Sequence, residues 1–182
     1  SLYDGHAFPH LVQACAALRQ RDRRVHLLLV GRAAARDHAC VATHGLADAF
    51  MATGWCMDAQ LPVYLSAADV CALPLADTLA NRARFSHKLG DYLACGRAVV
   101  TTDVGDYAAL LRAADAAVVA PDMPAFTAHL DALLHDRDRR AYYAERGRAW
   151  VAATLDWSVL APTILAFVEA TPHYHNQELC RP

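Results

Sequence analysis

A chain of 182 residues is long enough for one domain with a sizeable core, and a hydrophobic fraction of 55% rich in alanine suits a helix-rich α/β protein. The formal net charge of −2 argues against a general electrostatic affinity for nucleic acid. No apolar run approaches the roughly 20 residues that cross a bilayer, and no signal peptide opens the chain, so a cytoplasmic location is expected.

The predicted elements alternate. Phe8–Arg21 carries Leu11, Val12, Cys15 and Leu18 at helical spacing. Val25–Val30 is a short apolar run ending at Gly31, the pattern of a buried parallel strand. Ala33–His44 reads as a helix, Ala49–Thr53 as a strand stopped by Gly54, and Asp58–Ala67 as a helix capped by Asp58. Val70–Leu73 is a strand ended by Pro74, and Leu75–Phe85 a polar loop. Ser86–Cys95 is a helix, Ala98–Thr102 a strand, Asp106–Ala113 a helix and Ala116–Ala120 a fifth strand. Helices over Pro124–His135, Arg137–Leu155 and Trp157–Ala170 complete residues 1–170, and residues 171–182 read as a loose tail. The alternation predicts a Rossmann-like, doubly wound parallel sheet with helices on both faces.

Cys15, Cys40, Cys56, Cys71, Cys95 and Cys180 form no C-x-x-C pair and read as free thiols in a reducing compartment. The histidines are scattered; His173 and His175 in the tail are a chance pair, and no metal site is expected.

The stretch Asn81–Gly105 breaks local rules. Ser86 is a good N-cap and Gly96 a good residue just past a helix end. Lys88 then falls in the first turn, where the helix dipole disfavours a cation by roughly 0.3–1 kcal/mol. Gly90 in the helix interior costs about 0.8–1 kcal/mol relative to alanine. Both are easier to understand if phosphate oxygens meet the helix N-terminus and a ligand approaches the backbone. Asp91 shares a helix face with Lys88.

This stretch resembles the donor-binding segment of the retaining GT-B glycosyltransferases of the large family 4 type. Their pattern of a Lys, an acidic residue, then Y-x-A-x-G-x-P-V-V-x-T and a glycine loop is met by Lys88, Asp91, Tyr92, Ala94, Gly96, Val99, Val100, Thr101 or Thr102, and Gly105, with Ala98 in place of the proline. The likeness extends to V-H-L-L-L-V-G at Val25–Gly31, T-G-W at Thr53–Trp55, Leu61–Pro74, and W-S at Trp157–Ser158, in the family's order. It implies the C-terminal half of a GT-B fold. The family's first strand, the central one of order 3-2-1-4-5-6, would precede this sequence and lie between Val25–Val30 and Val70–Leu73, as would a whole N-terminal acceptor domain.

The resemblance also assigns roles. Lys88 would contact the donor diphosphate, with Arg84 or Arg82 adding a forked donor beside Ser86. Lys88 and Arg84 would be the catalytic pair. The bland alternatives are a surface Lys88–Asp91 pair and a solvated basic loop. Asp91 matches the second Glu of the family's E-x7-E motif, which holds the ribose hydroxyls. The first Glu would fall at Ala83, so Asp77 is the candidate to replace it. The loop Gly54–Met57 would lie near the nucleobase, with Trp55 stacking on it or, more commonly for such a residue, packing in the core or loop, and Met57 beside it. A lysine early in the family's domain aligns near His6, while Tyr92, Leu93, Val99 and Val100 belong to the core.

The implied partner is a nucleoside diphosphate sugar as donor substrate, with no other cofactor, no metal and no nucleic acid. Acceptor groups, and any peripheral attachment to a membrane, would come from the absent domain, and the fragment alone would be inactive. Two other readings stay open: a non-catalytic nucleotide-binding or interaction module, and a GT-B nucleotide-sugar epimerase.

Overall fold

The computed structural model describes residues 7–170. Helix α1 (Ala7–Arg21) leads into β1 (Leu27–Leu29), α2 (Ala35–Thr43), β2 (Phe50–Ala52) and α3 (Leu61–Ser66). Then come β3 (Val70–Leu73), α4 (Leu79–Ala83), α5 (His87–Ala94), β4 (Ala98–Thr102), α6 (Asp106–Ala114) and β5 (Val118–Ala120). Three helices close the series: α7 (Met123–His135), α8 (Arg137–Thr154) and α9 (Trp157–Ala170). The tail, with Cys180, His173 and His175, and the candidate His6 lie outside the described residues.

All strand pairs are parallel, but the single sheet expected from the alternation is instead two. One holds β1 and β2, the other β3, β4 and β5 in that order. In the strand order that the resemblance implies, the family's central strand would stand between β1 and β3. No described strand occupies that place, so the edges of β1 and β3 opposite their partners have no strand ladder among the described residues.

Helix α1 packs beside both sheets because it carries two neighbouring apolar stripes. Phe8, Val12 and Cys15, four and three residues apart, pack with Leu27 of β1 and Val41 of α2. Ala14 and Leu18 join Ala98 and Val100 of β4 and Phe126, Leu130 and Leu133 of α7. Leu11, between the stripes, touches both clusters. All five residues of β4 are buried, as befits the middle strand of a sheet covered on both faces. Alternation sends Val99 to the opposite face from Val100, against Leu89 and Leu93 of α5 and Tyr107 and Leu111 of α6.

Two threonines fasten the end of this sheet. Thr101 Oγ1 donates to the Leu73 carbonyl at 3.0 Å. Thr102 Oγ1 donates to the Leu75 carbonyl at 2.8 Å and accepts from the Leu75 N–H at 2.8 Å, all in buried surroundings. Thr102→Val keeps the shape and removes both bonds, leaving a buried N–H without its acceptor. It is expected to destabilise the chain by about 1–3 kcal/mol, read by urea unfolding. Unchanged stability would mean that the loop leaving β3 is not held there.

Helix α5 ends in a Schellman motif: Gly96, at φ 63°, donates to Leu93 O and Arg97 donates to Tyr92 O. Asp58 is not the cap expected from the sequence; Met57 takes that position before a short 3₁₀ turn at Asp58–Gln60. No side chain of α9 is buried, and Trp157, Leu165, Phe167 and Val168 are exposed. By length and composition Arg137–Ala170 could cross a membrane, which a count of uninterrupted apolar residues misses. The helical run is broken at 155–156, and the 14 residues of α9 span about 21 Å against a hydrocarbon core of about 30 Å.

Candidate functional site

The carboxyl ends of β2, β3 and β4 each lead into a loop carrying residues singled out from the sequence. After β2, Gly54 turns the chain at φ 73° and donates to Gly31 O at 3.0 Å. Beyond it Trp55 is 70% exposed, so the expected packing role does not hold: the indole has no core to enter. Met57 is exposed as well.

After β3 the polar loop expected over Leu75–Phe85 contains helix α4. Thr78 caps it by accepting from the Asn81 N–H at 3.2 Å. Asp77 and Arg82 form a two-pronged ion pair, at 2.5 Å from Nε and 2.6 Å from Nη2. The arginine depresses the Asp77 carboxyl below its usual range. Two residues assigned to separate ligand contacts are thus engaged with each other on the surface. Phe85 stacks edge-on against Tyr107 of α6 at 6.0 Å. Burial raises the Tyr107 hydroxyl, and the nearby Arg84 charge opposes that rise. The segment after α4 therefore leans on the start of α6.

Helix α5 begins at His87 after Ser86, whose hydroxyl makes no capping hydrogen bond. Lys88 stands in the first turn, half-buried. It is the only lysine in the chain, against 16 arginines (17 basic residues less one). That imbalance is visible in the sequence and is the signal a motif comparison overlooks: where this chain uses a cation elsewhere, it uses arginine. Gly90 does not touch a tight protein neighbour; a Cβ there would meet Leu155 Cδ1 at 4.0 Å, an ordinary contact.

Asp91 lies one turn along. Burial raises its carboxyl above the ordinary value, the His87 charge lowers it, and Asp58 adds to the rise. Asp58, in the turn beyond Met57, thereby brings the loop after β2 into the electrostatic surroundings of α5. The sign of the stability effect follows. The folded state holds the Asp91 proton more tightly than the unfolded chain, so this contribution is fully present at low pH and is lost as pH rises through the folded value. Asp91→Asn cannot ionise, and is expected to melt above the parent at pH 7 and level with it near pH about 3. A variant that melts below the parent at pH 7 would show that the carboxylate is stabilising instead.

After β4, Gly105 opens α6 at φ 77°. A Cβ there would lie 3.1 Å from the Arg82 carbonyl and 3.2 Å from that of Asn81. The turns after β3 and β4 are therefore in backbone contact. Among the described residues, no three His, Cys, Asp or Glu side chains gather as for a metal. The five described cysteines are free; burial pushes Cys15 and Cys71 up to about 12. A cavity of about 680 Å³, lined by Arg32, His38 and Val41 with Phe50 and Gly54, meets the predicted site at Gly54 of the loop after β2 and at none of the charged candidates.

The family model of glycosyl transferases group 1 matches residues 2–136. The chain belongs to that family. No curated protein sequence matches it significantly. Among solved structures, Anabaena Alr3699/HepE in complex with UDP-glucose superposes with a TM-score of 0.76 at 19% identity, covering 94% of this chain and 46% of that one. A glycosyltransferase from Rickettsia africae superposes at 0.72 with 16% identity, over 90% of this chain and 44% of that one. The C-terminal domain of a glycosyl transferase group 1 family protein (LpcC) from Francisella tularensis superposes at 0.65 with 17% identity, over 81% of this chain and 78% of that domain. This group 1 chain thus spans less than half of the first two proteins, and its fold is the Rossmann-like C-terminal half of a GT-B architecture.

Proposed function

We propose that this chain is the donor-binding half of a retaining glycosyltransferase that moves a sugar from a nucleoside diphosphate to an acceptor hydroxyl. The observation that carries the reading is the sole lysine, in the first turn of α5, on a fold whose solved neighbours include HepE with UDP and with UDP-glucose. The diphosphate would sit at the N-terminus of α5. As the glycosidic bond breaks, the leaving diphosphate gains negative charge. The helix dipole, Lys88 and Arg84 or Arg82 stabilise that charge in the transition state, without a metal. Asp91 accepts hydrogen bonds from the ribose hydroxyls. Trp55 and Met57 offer an exposed apolar surface for the base. Ser86, with its hydroxyl uncommitted to the cap, can donate to a phosphate oxygen. Acceptor groups come from a second domain, and a strand from outside the described residues fits between β1 and β3.

The single lysine makes the test selective. Reductive methylation with labelled formaldehyde marks Lys88 and the chain's amino terminus alone. Titration with UDP, GDP and ADP should shift the Lys88 resonance saturably with at least one of them, and the matching nucleoside should shift it less. A resonance unmoved by all three would sink the reading. A second reading, a nucleotide-binding module without turnover, is favoured by Ala83 at the place of the first motif glutamate and by the mutual engagement of Asp77 and Arg82. Transfer from a labelled donor by the two-domain protein, with the anomeric configuration of the product read by NMR, separates the two.

A further inference from the structure

Asn81 is fully buried in α4, so it cannot touch a ligand in this conformation. Its Nδ2 donates to the Ala76 carbonyl at 2.8 Å, while its Oδ1 is buried with no hydrogen-bond partner among the described residues. An unpaired buried carbonyl oxygen is costly, and an apolar side chain filling the same space would avoid that cost. Stability alone therefore does not account for an amide here. Its place in the loop does. Thr102 fixes Leu75 to the end of β4, and the Asn81 amide fixes the next residue, Ala76. On the other side the backbone of Asn81 and Arg82 rests on Gly105, at a distance no Cβ would allow without movement. The segment carrying Arg82 and Arg84 is thus tied at one end to β4 and in its middle to the turn that opens α6.

We propose that Asn81 is a positioning residue for the diphosphate: it holds Arg82 and Arg84 where they can share an anion with Lys88 and the start of α5. This rests on the donor-site reading above. The test is calorimetric titration of the parent, Asn81→Leu and Asn81→Ala with UDP, GDP and ADP and with the matching nucleosides, alongside thermal melting. Asn81→Leu removes the unpaired oxygen and the Ala76 tether together. It is expected to melt no lower than the parent and yet to lose roughly tenfold or more in affinity for the diphosphate that binds, with nucleoside affinity kept within about twofold. A role in folding alone would move melting and not that ratio. Should leucine fail to fold, Asn81→Ala must show the same diphosphate-selective loss. A folded variant that binds the diphosphate like the parent, or that loses diphosphate and nucleoside equally, overturns the role of Asn81 alone. A parent that binds none of the three diphosphates overturns the donor reading and this role with it.

Discussion

Lys88→Ala is expected to weaken binding of the preferred nucleoside diphosphate by about 1.5–3 kcal/mol, or roughly 10- to 150-fold. The size follows from losing a charge-assisted hydrogen bond at a helix N-terminus, where the ligand's charge is met by the dipole and by the ammonium at once. Lys88→Arg should recover only part of the affinity, since a planar fork replaces a compact point charge. Added salt should weaken the parent more than the alanine variant, because part of the parent's attraction is screened. Calorimetric titration across a salt series measures all of this. Equal diphosphate affinity for Lys88→Ala and the parent would remove Lys88 from the site.

Gly147→Ala is expected to be the most damaging single methyl group in the chain. Gly147 is buried in α8, the helix that packs on α5 and β4, and it faces the segment that leads into β5. A Cβ there would lie 2.5 Å from Leu93 Cδ2 and 2.9 Å from the Ala116 carbonyl oxygen. Leu93 could turn aside only by leaving a fully buried position, and the backbone oxygen cannot move without dragging β5. Overpacking of this kind costs about 3 kcal/mol, which for a chain of this size lowers the melting temperature by roughly 6–12 °C. Alanine otherwise favours a helix interior over glycine by up to about 1 kcal/mol, so propensity alone predicts the opposite sign. A variant that melts as high as the parent would mean that α8 does not lie this close to α5.

Much of this architecture is legible in the residues. Strands announce themselves as apolar runs closed by Gly31, Gly54 or Pro74, although β1 and β2 are only partly buried, and α5 by Ser86 at one end and Gly96 at the other. What the sequence hides depends on distant partners. Helix α4 has no apolar stripe and forms in a stretch that reads as polar loop, because Thr78 caps it and Asn81 is drawn inward to Ala76. Gly147 looks like a mild fault in a charged helix until Leu93 and Ala116 are placed against it. Thr101 and Thr102 match a motif as letters, but only the fold shows their hydroxyls pinning the residues that leave β3. Trp55 could be read either way, since exposure is decided by what the neighbouring loops leave uncovered. For the site, sequence spacing brings Lys88 and Asp91 onto one helix, whereas the pairing of Asp77 with Arg82 and the leaning of Phe85 on Tyr107 needed coordinates.

The division of the strands into two sheets bears on how the chain should come apart. Cooperative melting requires that each part lose most of its support when another goes. Here the clusters on either face of β4 share strands and helices with each other, while the cluster around β1 and α2 is joined to them through the side of α1. Among the described residues, one helix and Val25 beside it make a narrow bridge for transmitting collapse. Heating should therefore open the β1–β2 unit ahead of the rest, and the calorimetric enthalpy should exceed the van't Hoff value from any one optical probe. One melting temperature would then describe a part of this molecule, and the part that holds Lys88 would be the later to go.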